Sequence, residues 1–350
     1  MPVSKSVFVG MSGGVDSSVT AALLEGQGYR VTGVYMKNWT EDLPGMQCPW
    51  AEDLADAKRV AVQLGIDFKV FDFQDEYRQT VVDYMIEEYK AGRTPNPDVM
   101  CNQEIKFKLF LKTALAQGAD LIATGHYARV ESGQLLTGLD ASKDQSYFLY
   151  RVDRPALEKT LFPLGSLKKT EVRRRAGELN LVNADKPDSQ GICFVGEIGI
   201  KDFLMHYVES QPGEIVDIRT REILGEHDGA IFFTIGQRHG LGIGGGLPYY
   251  VVAKDMKKNI VYVTSNLDDK YLWKDEITLD QLHWISDEPV PSETYQVRAR
   301  YRGPLVKASI AIDDGRAVVK LRDAVRGVAA GQSVVVYDGD RVLGGGIVTA

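Results

Sequence analysis

The chain has 350 residues, 44% of them hydrophobic and 25% charged, with a formal net charge of −7. This length holds two or three domains, and the composition excludes a disordered, fibrous or disulfide-rich chain. No apolar run reaches the roughly 20 residues of a membrane helix, and an acidic total does not by itself mark a nucleic-acid binder. Only six residues precede the first apolar strand, and nothing there resembles a signal or transit peptide. The expectation is a cytoplasmic protein with no membrane partner. Three cysteines, Cys48, Cys101 and Cys193, include no C-x-x-C pair, which predicts no zinc site.

Residues 7–11 read as a strand and 16–24 as a helix, followed by a second strand over 31–36. "WAEDLADAKRVAVQLG" is an amphipathic helix that Gly65 closes. "FKVFDF" is strand-like, and "YRQTVVDYMIEEYKAG" and "CNQEIKFKLFLKTALAQG" are helical, the latter stopped by Gly118. "LIATGH" is a strand. This alternation predicts an α/β domain with a parallel sheet covered by helices on both faces. Ligands bind such sheets at the carboxyl ends of strands, where Ser12, Gly13, Gly14, Met36, Gly125 and His126 fall. Past residue 200 short alternating runs take over: "EIVDI", "AIFFTI", "YYVVAKD" and "NIVYVTS". A third series follows after about residue 275: "YQVRARY", "KASIAI", "RAVVKL", "SVVVYDG" and "RVLGGGIV". These predict two small β-rich domains, the last a β-barrel. The expected division is 1–200, 201–275 and 276–350.

Basic residues cluster locally despite the acidic total. The clusters are Lys106, Lys108 and Lys112; then Lys168, Lys169, Arg173, Arg174 and Arg175; then Arg298, Arg300 and Arg302. They suit a polyanion ligand and equally suit solvated helix and strand faces.

"VFVGMSGGVDSSVTAALL", residues 7–24, runs from a strand through a glycine turn into a helix. Such turns either hold phosphate or are plain turns. This one lacks the lysine of a Walker A loop. Its backbone amides, the Ser12 and Ser17 hydroxyls and the helix N-terminus can still grip an anion. Asp16 would repel a phosphate unless Mg²⁺ stands between them or its carboxylate caps the helix. The string S-G-G-x-D-S after a first strand resembles the pyrophosphate loop (PP-loop) of the N-type ATP pyrophosphatases. That resemblance implies ATP held by its β- and γ-phosphates, with the α-phosphate open to attack, giving an adenylated substrate and pyrophosphate.

Two cysteine contexts bear on what is activated. In "RTPNPDVMCNQEIKF" Cys101 falls at or just before a helix start, where a thiol pKa drops. In "KPDSQGICFV" Cys193 lies in a Gly-rich polar loop. Neither sits on a long apolar helix face. A reactive pair and two inert small apolar residues are both open from the residues alone. Cys48, in "LPGMQCPW", reads as structural.

In order along the chain, "GMSGGVDSS", "TPNPDVMCNQEIKF", "ATGHYAR", "DQSYFLY", "DSQGICFV", "FTIGQRHGLGIGG" and "VRARYR" resemble the tRNA-specific 2-thiouridylases (the MnmA family) over the full length. The resemblance implies ATP-dependent, Mg²⁺-assisted 2-thiolation of the wobble uridine at position 34 of tRNA, in the Lys, Glu and Gln isoacceptors. It implies that Gly10, Met11, Ser12, Gly13, Gly14, Val15, Asp16 and Ser17 form the ATP loop, with Met36 and Gly125 lining the adenine pocket. Asn96, Pro97 and Asp98 would meet the target base. His126, Lys143, Asp144, Gln145, Arg300, Tyr301 and Gln332 would touch tRNA. Cys193 would carry sulfur as a persulfide received from a relay protein or cysteine desulfurase. Cys101 would act as nucleophile, leaving a transient Cys101–Cys193 disulfide. An amidating ATP pyrophosphatase, or a nucleotide- or tRNA-binding protein without catalysis, stands as the alternative.

Overall fold

The structure is a computed structural model that describes residues 4–42, 48–188, 199–244, 246 and 248–349. The chain divides into two compact units: Met1–Val82, Pro97–Ile198 and Gly339–Leu343 in the first, and Asp83–Asn96, Gly199–Asp338 and Gly344–Ala350 in the second.

The first unit is built on strands β1 (Ser6–Gly10), β2 (Arg30–Lys37), β3 (Asp67–Asp72) and β4 (Leu121–Ala123). β5 (Ala128–Glu131) and β6 (Gln134–Thr137) form a hairpin, and β7 (Thr160–Leu161) follows. Among the described residues the main sheet runs β3-β2-β1-β4-β7, and every pairing in it is parallel. All five residues of β1 are buried, as expected of a central parallel strand covered on both faces. The chain passes from β1 outward through β2 and β3, then returns to β4 on the other side of β1. That reversal opens a crevice beyond the carboxyl end of β1.

Helix α1 (Val15–Gly26) follows β1 and is buried along Val15, Val19, Ala21, Ala22 and Leu24. Helix α2 (Trp50–Leu64) buries one stripe, Asp56, Ala57, Val60 and Ala61, and ends on Gly65 at φ +66°, the left-handed cap that the sequence predicted. Val7, Val9, Val19, Val31, Ala57, Val60 and Val172 share one core. The two long predicted helices each contain a widened, π-helical stretch, at Arg78–Val82 and Cys101–Phe110.

The second unit is mostly β. Strands β8 (Gly213–Asp217), β9 (Ile223–His227), β10 (Tyr250–Asp255) and β11 (Ile260–Thr264) make a sheet in the order β10-β11-β8-β9. β12 (Trp273–Trp284), β13 (Tyr295–Arg298), β14 (Val306–Asp313), β15 (Arg316–Arg326), β16 (Ser333–Asp338) and β17 (Arg341–Val348) follow in the order β12-β15-β14-β13-β16-β17, and β17 pairs back to β12. That closure makes the predicted barrel. β14 alternates buried and exposed residues over most of its length, as a barrel wall requires.

Three local expectations change. "AIFFTI" is no strand: Ala230–Phe232 forms a single 3-10 turn after Gly229. Its residues are all buried, and an unbroken apolar run carries no period that separates strand from buried turn. "YQVRARY" stops as a strand at Arg298, because Arg300 and Tyr301 enter a turn closed by Gly303 N–H on the Arg300 carbonyl. The β5–β6 hairpin, β7, β9 and β12 have no counterpart among the predicted strands.

Candidate active site

The loop after β1 lies at the crevice. Met11 N–H donates to the Val34 carbonyl at 2.8 Å, so the chain stays registered to β2 one residue beyond β1. It then turns at Gly13, φ +76°. A Cβ on Gly13 would stand 2.4 Å from the Asp53 carbonyl oxygen of α2, so no other residue fits there. Ser12 is exposed, with its amide on Ser17 Oγ at 3.2 Å and its hydroxyl 3.4 Å from the same oxygen. Gly14 stands at the N-cap of α1 with no side-chain bond, which leaves the first-turn amides without a capping side chain. Val15 is buried and anchors that turn.

The residues expected to line an adenine pocket, Met36 and Gly125, surround the same strand end. Met36 Cε would be 3.0 Å from a Cβ on Gly10. A Cβ on Gly125 would meet Ser17 N at 2.9 Å and the Asp16 carbonyl carbon at 3.0 Å. The turn after β4 therefore lies directly against the first turn of α1. His126 follows, buried, with Nδ1 2.7 Å from Thr124 Oγ1 and its ring near Phe107 and Phe162. Burial, helped by the Lys106 charge, holds its pKa well below the ordinary value, so the ring is neutral.

Asp16 neither caps α1 nor stands free for a cation. Its carboxylate accepts from Lys169 Nζ at 2.7 and 2.9 Å and from the Tyr127 hydroxyl at 2.8 Å. Among the described residues no group of three or more His, Cys, Asp or Glu could hold a metal ion. A resident Mg²⁺ site does not fit these residues.

Of Lys143, Asp144 and Gln145, Lys143 and Gln145 are partly exposed and Asp144 is not. Asp144 is buried and accepts from Gly138 N, Ser146 N and Ser146 Oγ. Gln145 Oε1 accepts from Tyr127 N at 3.0 Å, and Lys143 Nζ reaches Asp188 at 2.9 Å. Pro97 and Asp98 open the short helix Pro97–Met100, and Asn96 precedes it. Burial raises the Asp98 pKa despite the Lys106 charge. Cys101 does not start a helix: four helical residues precede it, and it is 3% exposed. The burial expected only of a cysteine on an apolar helix face thus holds for Cys101. Cys193, and the Cys101–Cys193 pairing with it, lies outside the described residues.

In the second unit Arg300 is exposed and Tyr301 lies 5.3 Å beneath the Arg302 guanidinium. Gln332 Nε2 donates to the carbonyls of Thr94 at 2.7 Å and Pro95 at 3.3 Å.

Several residues around the loop were not among those singled out as site residues. Asn183 Nδ2 donates to the Gly13 carbonyl at 2.8 Å and to Ser18 Oγ at 3.0 Å. Lys186 pairs with Asp53 and Asp56 of α2. Asp188 meets Lys143, Lys169 and Arg173, and those bonds hold its carboxyl well below the usual carboxylate range despite the opposing desolvation. The only signal in the sequence was the basic run "LKKTEVRRR", which does not name its acidic partners.

The chain is similar to known proteins along nearly its whole length. Residues 5–197 match the family described as tRNA methyl transferase HUP domain, 201–265 its PRC-barrel domain and 274–348 an aminomethyltransferase beta-barrel domain. The chain is 47% identical to the tRNA-specific 2-thiouridylase MnmA of Geobacillus thermodenitrificans, over 99% of this chain and 95% of that one. It is 48% identical to that of Listeria monocytogenes, over 98% and 94%, and 46% identical to that of Methylobacillus flagellatus, over 99% of both. With such identity along nearly its whole length, the chain belongs to the tRNA-specific 2-thiouridylase family.

Proposed function

We propose that the chain is a sulfur transferase that 2-thiolates the wobble uridine of tRNA through an adenylated intermediate. Its family supports tRNA 2-thiolation. The observation that carries the rest is the loop of residues 10–17, with its exposed Ser12 and its uncapped first turn of α1, opening at the carboxyl end of β1. That place suits the phosphates of ATP, with Mg²⁺ brought by the nucleotide. Gly10, Met36 and Gly125 then line the adenine side.

The uridine C2 oxygen attacks the ATP α-phosphorus and pyrophosphate leaves. The oxygen becomes part of an AMP ester, a far better leaving group. The terminal sulfur of a Cys193 persulfide adds at C2 and AMP departs. The Cys101 thiolate attacks the Cys193 sulfur, breaking the S–S bond to the sulfur now on C2. The base leaves as 2-thiouridine and the two cysteines as a disulfide, which an external thiol must reduce. Asn96, Pro97 and Asp98 precede Cys101 directly and suit contact with an extruded base. His126, Lys143, Asp144, Gln145, Arg300, Tyr301 and Gln332 belong to the same reading as tRNA contacts, Asp144 and Gln332 through the chain they brace. The three-domain division at 200 and 275, the Lys, Glu and Gln isoacceptors, a relay protein or desulfurase as donor and a cytoplasmic location complete it. No helix among the described residues is long and apolar enough to cross a membrane.

The test is thiolation of unmodified tRNA with ATP, Mg²⁺ and a persulfide source. Wild type should form 2-thiouridine, while Cys193→Ser should release tRNA-dependent pyrophosphate without incorporating sulfur. Cys101→Ser should stall with sulfur held between enzyme and tRNA. Both variants thiolating like wild type would remove the cysteines from the chemistry. Methyl gain in place of sulfur gain would favour the methyl transferase named by the family descriptions.

A further inference from the structure

One side chain from far along the chain is set against the glycine turn. Asn183 lies 170 residues after Gly13 and is 5% exposed. Its amide nitrogen donates one hydrogen to the Gly13 carbonyl at 2.8 Å and the other to Ser18 Oγ at 3.0 Å. Ser18 Oγ in turn donates to the Gly14 carbonyl at 2.9 Å. The carbonyls on both sides of Gly14 are thus held by one amide, directly and through one hydroxyl. Asn183 Oδ1 is buried and accepts no hydrogen bond among the described residues. A buried acceptor left unpaired costs free energy, so it is the donors of this asparagine that the position uses. The reverse amide orientation would set two acceptors against each other at the Gly13 carbonyl.

The stretch that carries Asn183 is itself fixed. Lys186 N–H donates to the Asn183 carbonyl at 3.0 Å, and Arg173 Nη1 donates to the carbonyls of Ala184 at 2.8 Å and Lys186 at 2.7 Å. Lys186 Nζ meets Asp53 at 2.8 Å and Asp56 at 2.6 Å on α2, the helix whose Asp53 carbonyl closes the space beside Gly13. The amide so placed governs the Gly13–Gly14 peptide. A trans peptide is planar, with its carbonyl and its N–H pointing opposite ways. Holding the Gly13 carbonyl against Asn183 therefore turns the Gly14 N–H away from it, and that N–H meets no acceptor among the described residues. Glycine stands on both sides of this peptide, so no side chain of its own opposes its rotation. Rotated, it would present a carbonyl oxygen where it now presents an N–H.

We propose that Asn183 is a positioning residue of the glycine loop, locking the Gly13–Gly14 peptide with its carbonyl inward and the Gly14 N–H turned towards a phosphate oxygen of the nucleotide. The proposal rests on the nucleotide reading above and deepens it. Asn183 is not itself a ligand of the phosphates. It acts through the loop, by removing the orientation in which the Gly13 carbonyl would face and repel an anion. An amide already turned to its ligand loses no binding free energy to being turned.

Calorimetric titration of the full chain with Mg²⁺·ATP and with Mg²⁺·pyrophosphate, without tRNA, tests it, each variant being compared with wild type at the same pH. Asn183→Asp keeps the shape and, when ionised, offers the Gly13 carbonyl only acceptors. At about pH 8.5 it should weaken both ligands tenfold or more. At about pH 6 its carboxyl, with a pKa raised by burial, regains a proton to donate, and the loss should shrink to about threefold or less. Asn183→Leu, which removes both donors, should weaken both ligands tenfold or more at either pH. A role in stability alone would lower the urea midpoint of both variants and leave the affinity of the folded chains unchanged, which would overturn the proposal. An N183D loss of the same size at both pH values would overturn it too. Should N183L fold poorly, N183D at its two pH values carries the test on one protein. A wild type that binds neither ligand would overturn the nucleotide reading itself, an outcome distinct from either.

Discussion

The loop of residues 10–17 and the charged shelf beside it are held by different forces. The loop is fixed by backbone and close packing: Gly13 leaves no room for a Cβ against Asp53, and Gly125 lies against the amide of Ser17. The shelf is fixed by side chains from separate stretches, Lys143, Lys169, Arg173 and Asp188; the pairs of Lys143 and Arg173 with Asp188 are solvent-reachable, while Lys169 is largely buried. Close-packed backbone has one arrangement, whereas ion pairs can exchange partners at small cost. A site built of both can keep a rigid cradle while its charges are rearranged by a ligand.

The largest effect should come from filling the space the loop depends on. Gly13→Ala places a methyl 2.4 Å from a backbone oxygen at φ +76° and should cost about 3 kcal/mol by urea unfolding. Gly125→Val should lower ATP affinity about a hundredfold by pushing the first turn of α1 away. Unchanged binding in Gly125→Val would break the contrast, because the loop would then be as adjustable as the shelf.

Asp144 underlies the shelf through three bonds accepted in a buried position. Asp144→Ala should cost about 2–3 kcal/mol in the absence of tRNA. An unaltered urea midpoint would show that Asp144 acts on tRNA alone.

His126 behind the loop supplies a pH signature. Its folded pKa is depressed by burial, so below the unfolded value of about 6.5 the unfolded chain takes up a proton that the folded one refuses. Stability should be unaffected above that pH and should fall as pH drops through it, by about 1.4 kcal/mol per unit. His126→Phe should remove this slope. His227, also lowered by burial, adds a slope of the same sign in the second unit.

The smallest effect belongs to Gln332→Ala, which loses two bonds to the carbonyls of Thr94 and Pro95. It should cost about 1 kcal/mol, and a larger loss of tRNA affinity than of stability would assign Gln332 a contact beyond this brace.

The parallel sheet, the glycine loop, α1, α2 and the closing barrel were legible in the sequence because each depends on local period or on glycines at fixed places. Gly65 and Gly118, predicted as stops, have φ +66° and +90°. Unbroken apolar runs such as "AIFFTI" were not legible, since a buried turn and a buried strand ask for the same residues. Cys101 was misplaced by one helical turn, because Pro97 opens the helix before it. By itself, then, the sequence determined which residues line the loop, since eight consecutive residues need no distant partner. Only the tertiary structure decided that Lys169 stands beside Asp16, that Asp188 gathers three cations and that Asp144 is buried. Charge pairing acts between segments far apart in the chain, and nothing in the order of residues records which oppositely charged groups the fold brings within 3 Å.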